Sequence, residues 1–235
     1  HLDVTGIDCH IGSQLLDDAP LLEALDKVIE LADQLHVAGI DLHHLDIGGG
    51  IGITYDDEKP VAVGDYLSRL FARIDRWRAE KHGGKPITVM FEPGRSIVGN
   101  AGVLVTEVQY LKHGGSKNFA VVDAAMNDLM RPAMYEAYHA IVPVKTNIQT
   151  EALTYDIVGP ICESGDWLGR DRQLAVQPGD QLAILSAGAY GFTMSSNYNT
   201  RGRAAEVMVD GSQVHLIRER ETIESLFANE KVLPD

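Results

Sequence analysis

From Val4 to about Asn100 the apolar positions switch repeatedly between two periods. Val4 to Cys9 is a short apolar run that reads as a strand, and it ends in His10-Ile11-Gly12-Ser13-Gln14. Leu21, Leu25, Val28, Ile29, Ala32 and Leu35 then recur at helical spacing. Asp17 or Asp18 caps that helix, Pro20 lies in its first turn, and Gly39 closes the unit. The cycle repeats with a strand Leu42 to Ile47, a loop Gly48 to Gly52, and a helix carrying Leu67, Leu70, Ile74 and Trp77 on one face. A third strand, Ile87 to Phe91, runs into Glu92-Pro93-Gly94-Arg95. Strand, loop and helix recurring every ~40 residues predict parallel βα units. All three distinctive loops follow strand C-terminal ends, which in a (β/α)8 barrel form the active-site face. Three strands do not close such a barrel, which takes ~250 residues. Either the sheet is open or earlier units lie outside this sequence.

From about Gly102 the pattern changes to short apolar runs separated by turns. Val103 to Val108, Phe119 to Val122, Tyr155 to Val158, Leu182 to Ser186, Ala205 to Val209 and Val214 to Ile217 read as strands. His113-Gly114-Gly115-Ser116, Gln177-Pro178-Gly179-Asp180 and Asp210-Gly211 supply turn chemistry between them. A last helix is expected over about Thr222 to Asn229. The expected organisation is therefore α/β plus all-β. Residues 1–101 form βα units of an open sheet or of a partial (β/α)8 barrel, and residues 102–235 a β-barrel or sandwich domain.

Composition narrows the partners. The 235 residues carry a net charge of −14, spread along the chain, whereas nucleic acid and anionic membrane call for a basic patch. No apolar stretch approaches the ~18 residues of a membrane span. Two distant cysteines, Cys9 and Cys162, make no disulfide framework, and a reducing cytoplasm is the expected location. The chain opens without methionine and runs straight into a strand-like pattern, which hints at a fragment.

Several motifs carry candidate chemistry. Gly48-Gly49-Gly50-Ile51-Gly52 lets backbone N–H groups approach a phosphate, although such a run is equally a tight turn. It is neither a Walker loop nor the dinucleotide fingerprint. Glu92 and Arg95 form either a plain salt bridge or, on the same face as the glycine loop, a recognition pair for phosphate or carboxylate. A buried glutamate there could hold the protonated nitrogen of a heteroaromatic ring. His10 stands at a strand end, where a lone histidine is structural or catalytic. The histidines show no metal-binding spacing, and no metal is expected. Cys162-Glu163-Ser164-Gly165-Asp166 sets a thiol beside a carboxylate in a polar loop, with a buried structural cysteine as the default reading.

Taken together, these motifs resemble the fold-type III pyridoxal-phosphate (PLP)-dependent amino-acid decarboxylases. The resemblance runs end to end through His10–Gln14, Gly48–Gly52, Glu92–Arg95, Asp128–Tyr135, Cys162–Asp166 and Gly188-Ala189-Tyr190-Gly191. Met130-Arg131-Pro132-Ala133-Met134-Tyr135 and the Cys162 loop are similar to the branch that decarboxylates meso-diaminopimelate to L-lysine. The resemblance implies that residues 1–101 are the last strands and helices of a PLP-binding (β/α)8 barrel, followed by a β domain, in a homodimer with shared active sites. It implies that Glu92 pairs with the pyridine nitrogen and that His10 stacks on the ring. Ser13, the Gly48-Gly49-Gly50 backbone and the Glu92-Pro93-Gly94-Arg95 loop would hold the phosphate, with Tyr190 nearby. Arg95, Arg131, Tyr135, Glu163 and Tyr190 match substrate-binding positions, and Cys162 of the partner subunit would donate a proton after CO2 leaves.

One departure stands out. The family anchors PLP on a lysine in an early barrel strand, within a Tyr-Ala-Val-Lys-Ala-Asn-like segment that is absent from this sequence. Pro143-Val144-Lys145-Thr146-Asn147 is superficially similar but falls in the β half, and Lys145 reads as a solvent-facing side chain. The chain is therefore expected to need an N-terminal half as partner. Alternatives are a related ornithine, arginine or polyamine-precursor decarboxylase, or a non-catalytic homologue that binds a protein.

Overall fold

The computed structural model describes residues 2–145 and 150–234. The chain divides into two compact units, His1–Gly99 and Asn100–Asp235.

The first unit contains β1 (Gly6–Asp8), α1 (Ala19–Val37), β2 (His44–Asp46), α2 (Val63–Lys81), β3 (Thr88–Met90) and the short α3 (Gly94–Val98). The three strands are parallel in the order β1-β2-β3, in a register that sets Asp8 beside Asp46 and Asp46 beside Met90. Their C-terminal ends are therefore level, and the three loops that follow leave from one edge. Each strand is shorter than the apolar run that predicted it.

Leu21, Leu25, Val28 and Ala32 of α1 pack with Leu45 and with Tyr66, Leu70, Ile74 and Trp77 of α2. Tyr66, rather than Leu67, completes the deep face of α2, and Leu67 is half-buried. The reason is period: Tyr66, Leu70, Ile74 and Trp77 follow the 3.6-residue stripe, and Leu67 sits one step round the cylinder. Burial, together with the charge of Asp18, pushes the Tyr66 hydroxyl up to about 12. A polar ladder also ties α1 to α2. Arg69 Nε donates to Asp18 (2.7 Å), and Trp77 Nε1 donates to Asp33 (2.8 Å).

The second unit contains β4 (Leu104–His113), β5 (Asn118–Val122), α4 (Arg131–Tyr135), β6 (Ile141–Pro143), β7 (Leu153–Val158), β8 (Trp167–Leu174), β9 (Gln181–Ile184), β10 (Glu206–Asp210), β11 (Gln213–Arg218) and α5 (Ile223–Leu226). Six strands form a mixed sheet in the order β6-β9-β4-β5-β7-β8, in which β5 and β7 are parallel and the other pairs antiparallel. Val108, Val122, Leu129, Ile157, Leu168, Leu182 and Ile184 fill its core. The two end strands approach one another: a Cβ on Gly169 of β8 would lie 2.7 Å from Ile141 Cδ1 of β6. The mixed sheet is nearly closed. A separate hairpin, β10 with β11, exposes Val209 and Val214.

Two strands escape the apolar pattern. β8, Trp-Leu-Gly-Arg-Asp-Arg-Gln-Leu, is mostly polar, and β6 has only three residues, including a proline. Both are end strands of the sheet, where pairing on one side alone tolerates such composition. Lys145 is exposed, as its sequence context suggests, whereas Thr146 and Asn147 lie outside the described residues.

Candidate functional site

At the strand ends of the first unit the backbone does most of the positioning. Leu15 N–H donates to the Gly50 carbonyl (2.8 Å), and Gly52 N–H donates to the Leu15 carbonyl (2.9 Å). Gln14 closes the seam, its side chain donating to the Ile53 carbonyl (2.6 Å) and accepting from the Ile53 N–H (3.1 Å). The His10–Gln14 loop and the glycine loop are thereby zipped into one surface. The zipping leaves no room for side chains. A Cβ on Gly49 would stand 2.1 Å from the Glu92 carbonyl oxygen. Gly50, at φ +96°, would point one at the Gly12 carbonyl, 2.4 Å away.

His10 and Glu92 meet on this surface. Gly49 N–H donates to His10 Nδ1 (3.2 Å), so that nitrogen bears the lone pair. Glu92 Oε2 lies 3.8 Å from the same Nδ1, and its side chain is 55% exposed rather than buried. With Asp8 and Asp46 it forms a carboxylate triplet whose nearest oxygens all lie within 4.8 Å of one another. Sequence spacing alone does not reveal this triplet, because Asp8 and Asp46 end two strands, Glu92 follows a third, and only the register unites them. Close carboxylates attract a cationic group.

Arg95, in the first turn of α3, reaches back across the strand ends. Its Nη2 donates to Ser13 Oγ (3.0 Å), and its Nη1 donates to the Tyr55 hydroxyl. Ser13 and Arg95 are therefore neighbours, as are His10, Gly49 and Glu92. Pro93 caps α3 and Gly94 begins it, with Gly94 N–H donating to the Glu92 carbonyl (2.9 Å). Tyr55 is missing from the sequence reading, since a buried tyrosine in a loop has no periodic signature.

In the second unit, buried polar anchors hold exposed groups. Arg131, at the start of α4, is only 8% exposed, and Tyr135 at its other end is 61% exposed. Arg131 Nη1 lies 2.8 Å from Nε2 of the fully buried His139. Asn127 and Arg201 fasten the approach to α4. Arg201 donates to Asn127 Oδ1 (2.9 Å) and to the Asp123 carbonyl (2.6 Å).

Cys162 and Glu163 share one loop, and both are exposed; the default reading of Cys162 as a buried structural cysteine is thus corrected. The loop is held from below by Asp166, whose carboxylate accepts from Ile161 N–H (2.6 Å) and Met126 N–H (2.7 Å). Burial pushes the Asp166 carboxyl up, against the pull of those two amides. Buried beneath the loop, Asp166 frees Cys162 and Glu163 to face solvent. Glu163 Oε1 accepts from Gly165 N–H (3.3 Å), and its Oε2 lies 3.5 Å from the Tyr198 hydroxyl. Tyr190 adopts a positive φ of 59° in the loop after β9.

Residues 8–188 match the family model for the pyridoxal-dependent decarboxylase C-terminal sheet domain. The chain belongs to this decarboxylase family. It is 55% identical over its whole length to the diaminopimelate decarboxylase of Vibrio cholerae, spanning 54% of that protein. The crystal structure of diaminopimelate decarboxylase from M. jannaschii in co-complex with L-lysine superposes with a TM-score of 0.91 at 41% identity, over 98% of this chain and 52% of that one. The Helicobacter pylori enzyme complexed with L-lysine gives 0.86 at 40% identity, over 96% and 54%. The chain spans about half the length of the curated relatives it matches. Among the described residues, no helix is long and apolar enough to cross a membrane.

Proposed function

We propose that this chain is the part of a diaminopimelate decarboxylase that holds the phosphate and ring of PLP and recognises the two ends of the substrate. The observation that carries the reading is the Arg95–Ser13 pair beside the Gly48–Gly50 backbone, with the Glu92 triplet on the same edge of the sheet. A guanidinium, a hydroxyl and close backbone fit a phosphate dianion, and clustered carboxylates fit a protonated pyridine nitrogen. When bound, PLP supplies the sink for the electron pair left at Cα as CO2 departs.

The chain's own residues do the rest. Arg95 and Ser13 hold the phosphate. His10, fixed through Nδ1 by the Gly49 amide, covers the ring. Arg131 takes the carboxylate at the non-reacting end, Glu163 the ammonium beside it, and Tyr135 assists. Cys162, exposed on its loop, gives a proton to Cα in the active site of a partner subunit, which makes the enzyme a homodimer. The anchoring lysine comes from an N-terminal part of the polypeptide, which also supplies the barrel strands that precede β1 to β3. The second unit's sheet is a β-barrel, a reading supported by the approach of β6 to β8. The setting is the cytoplasm.

The test is to load the full-length polypeptide carrying this chain with PLP and follow CO2 release from meso-diaminopimelate. CO2 and L-lysine in equal amounts are expected, with R131A losing about a hundredfold in kcat/KM, the worth of a charged hydrogen bond or two. Unchanged turnover in R131A, or equal turnover of ornithine, would contradict the substrate assignment.

A further inference from the structure

The bond between Arg131 and His139 assigns that histidine a protonation state and a task. His139 Nδ1 lies 2.9 Å from the Leu185 carbonyl, which can only accept, so Nδ1 carries a proton. A guanidinium can only donate, so the nitrogen facing Arg131 Nη1 at 2.8 Å carries the lone pair. Both bonds are satisfied by one species, the neutral ring protonated on Nδ1. A proton on Nε2 would set N–H against N–H. The carbonyl that fixes the tautomer is itself fixed, because the Leu185 N–H donates to the Ala140 carbonyl (2.8 Å) next to His139.

The neutral partner matters for the arginine. A buried carboxylate at this position would cancel the charge of Arg131, whereas an imidazole lone pair orients one arm of the fork and leaves the positive charge in place. We infer that His139 is a positioning residue, which through its Nε2 lone pair aims the Arg131 guanidinium at the carboxylate of the substrate's non-reacting end. This rests on the reading of Arg131 as the carboxylate-binding group. L-lysine retains that carboxylate after the reacting one is lost, so the product reports on the same contact.

Two substitutions separate the two nitrogens of His139. H139Q carries an amide oxygen to about where Nε2 lies and keeps an acceptor for Arg131. H139N keeps a donor for the Leu185 carbonyl and offers Arg131 nothing. In the PLP-loaded full-length enzyme, H139N is expected to raise KM for meso-diaminopimelate about tenfold, with kcat within about twofold, and H139Q to stay within about threefold of the parent. Calorimetry with L-lysine should show the same roughly tenfold weakening for H139N. Nitrogen-15 spectra should show His139 protonated on Nδ1 and bare on Nε2.

Protonation on Nε2 would overturn the inference, as would H139N with parental KM and parental L-lysine affinity. Equal losses in H139N and H139Q, shared between kcat and KM, would mean a merely structural role and would also overturn it. R131A is the control. If R131A raises KM and H139N does not, only the role of His139 falls; if R131A leaves KM unchanged, the reading of Arg131 falls and takes this one with it.

Discussion

The two units present functional groups by opposite means. In the first, the groups are exposed or half-buried side chains beyond the ends of three parallel strands, and their placement comes mainly from backbone. The β1-β2-β3 register, the seam between Leu15 and Gly50, and glycines too tightly packed to carry a Cβ set His10, Ser13, Glu92 and Arg95 close together. In the second, the backbone is irregular at the same kind of position, and buried polar side chains take over. Asp166 holds the Cys162 loop by two amides, and His139 holds Arg131. A regular sheet needs only small residues to bring loops together, whereas a loop without a ladder needs an internal acceptor for each stray N–H.

That contrast can be broken at either end. The largest effect is expected from D166A, which strands two backbone N–H groups. At ~1–3 kcal/mol for each unsatisfied donor, about 4 kcal/mol of stability should go, read as a drop in the urea midpoint. D166N, which keeps one acceptor, should cost about half as much. If D166A unfolds at the parental midpoint, the Cys162 loop is not anchored as described. G49A comes next. Its Cβ meets a backbone carbonyl that cannot rotate away, and about 3 kcal/mol is expected, the upper part of the range for overpacking. Tolerance of G49A would mean that the glycine seam yields and that register alone places the loops.

R95A sharpens the comparison from the ligand's side. It should lower stability by only about 1 kcal/mol, the cost of leaving the Tyr55 hydroxyl without its donor, yet weaken PLP binding by about thirtyfold in the full-length protein. Fluorescence titration of the cofactor checks this. A large stability loss without a binding loss would move Arg95 from the phosphate to the scaffold.

The smallest effect concerns pH. Burial raises the Asp156 carboxyl, but the Lys117 ammonium (2.7 Å) and the Asp171 amide (2.9 Å) outweigh it and hold the group below its ordinary value. A depressed folded value stabilises the chain above the ordinary carboxylate range, and the gain is lost as pH falls through the depressed one. D156N should therefore lower stability at pH 7, where the gain is fully present, and flatten the acid limb of the stability profile below about pH 4. A profile identical to the parent's would remove Asp156 from the acid response.

The same contrast explains what the sequence made legible. Alternation of apolar periods revealed β1 to β3 and both long helices, because each is amphipathic on its own. The loops were readable because glycine runs and Glu-Pro-Gly-Arg fall directly after strands. The triplet of Asp8, Asp46 and Glu92 was not readable, since it exists only through the register of three separated segments. In the second unit, β8 was hidden by its polar residues and β6 by its brevity. Cys162, Glu163, Arg131 and Tyr135 are singled out by resemblance, whereas Asp166 and His139, which hold the Cys162 loop and Arg131, are visible only in the hydrogen bonds. A buried polar residue leaves no periodic trace, and its partner is distant in sequence.

The most direct test of the account is PLP-dependent turnover of meso-diaminopimelate by the full-length polypeptide, compared between the parent and the double variant R95A/R131A. The account predicts that the parent releases CO2 and L-lysine one for one. It also predicts that the double variant, still folded, needs far more cofactor and far more substrate to do so. Parental cofactor and substrate requirements in the folded double variant would contradict it.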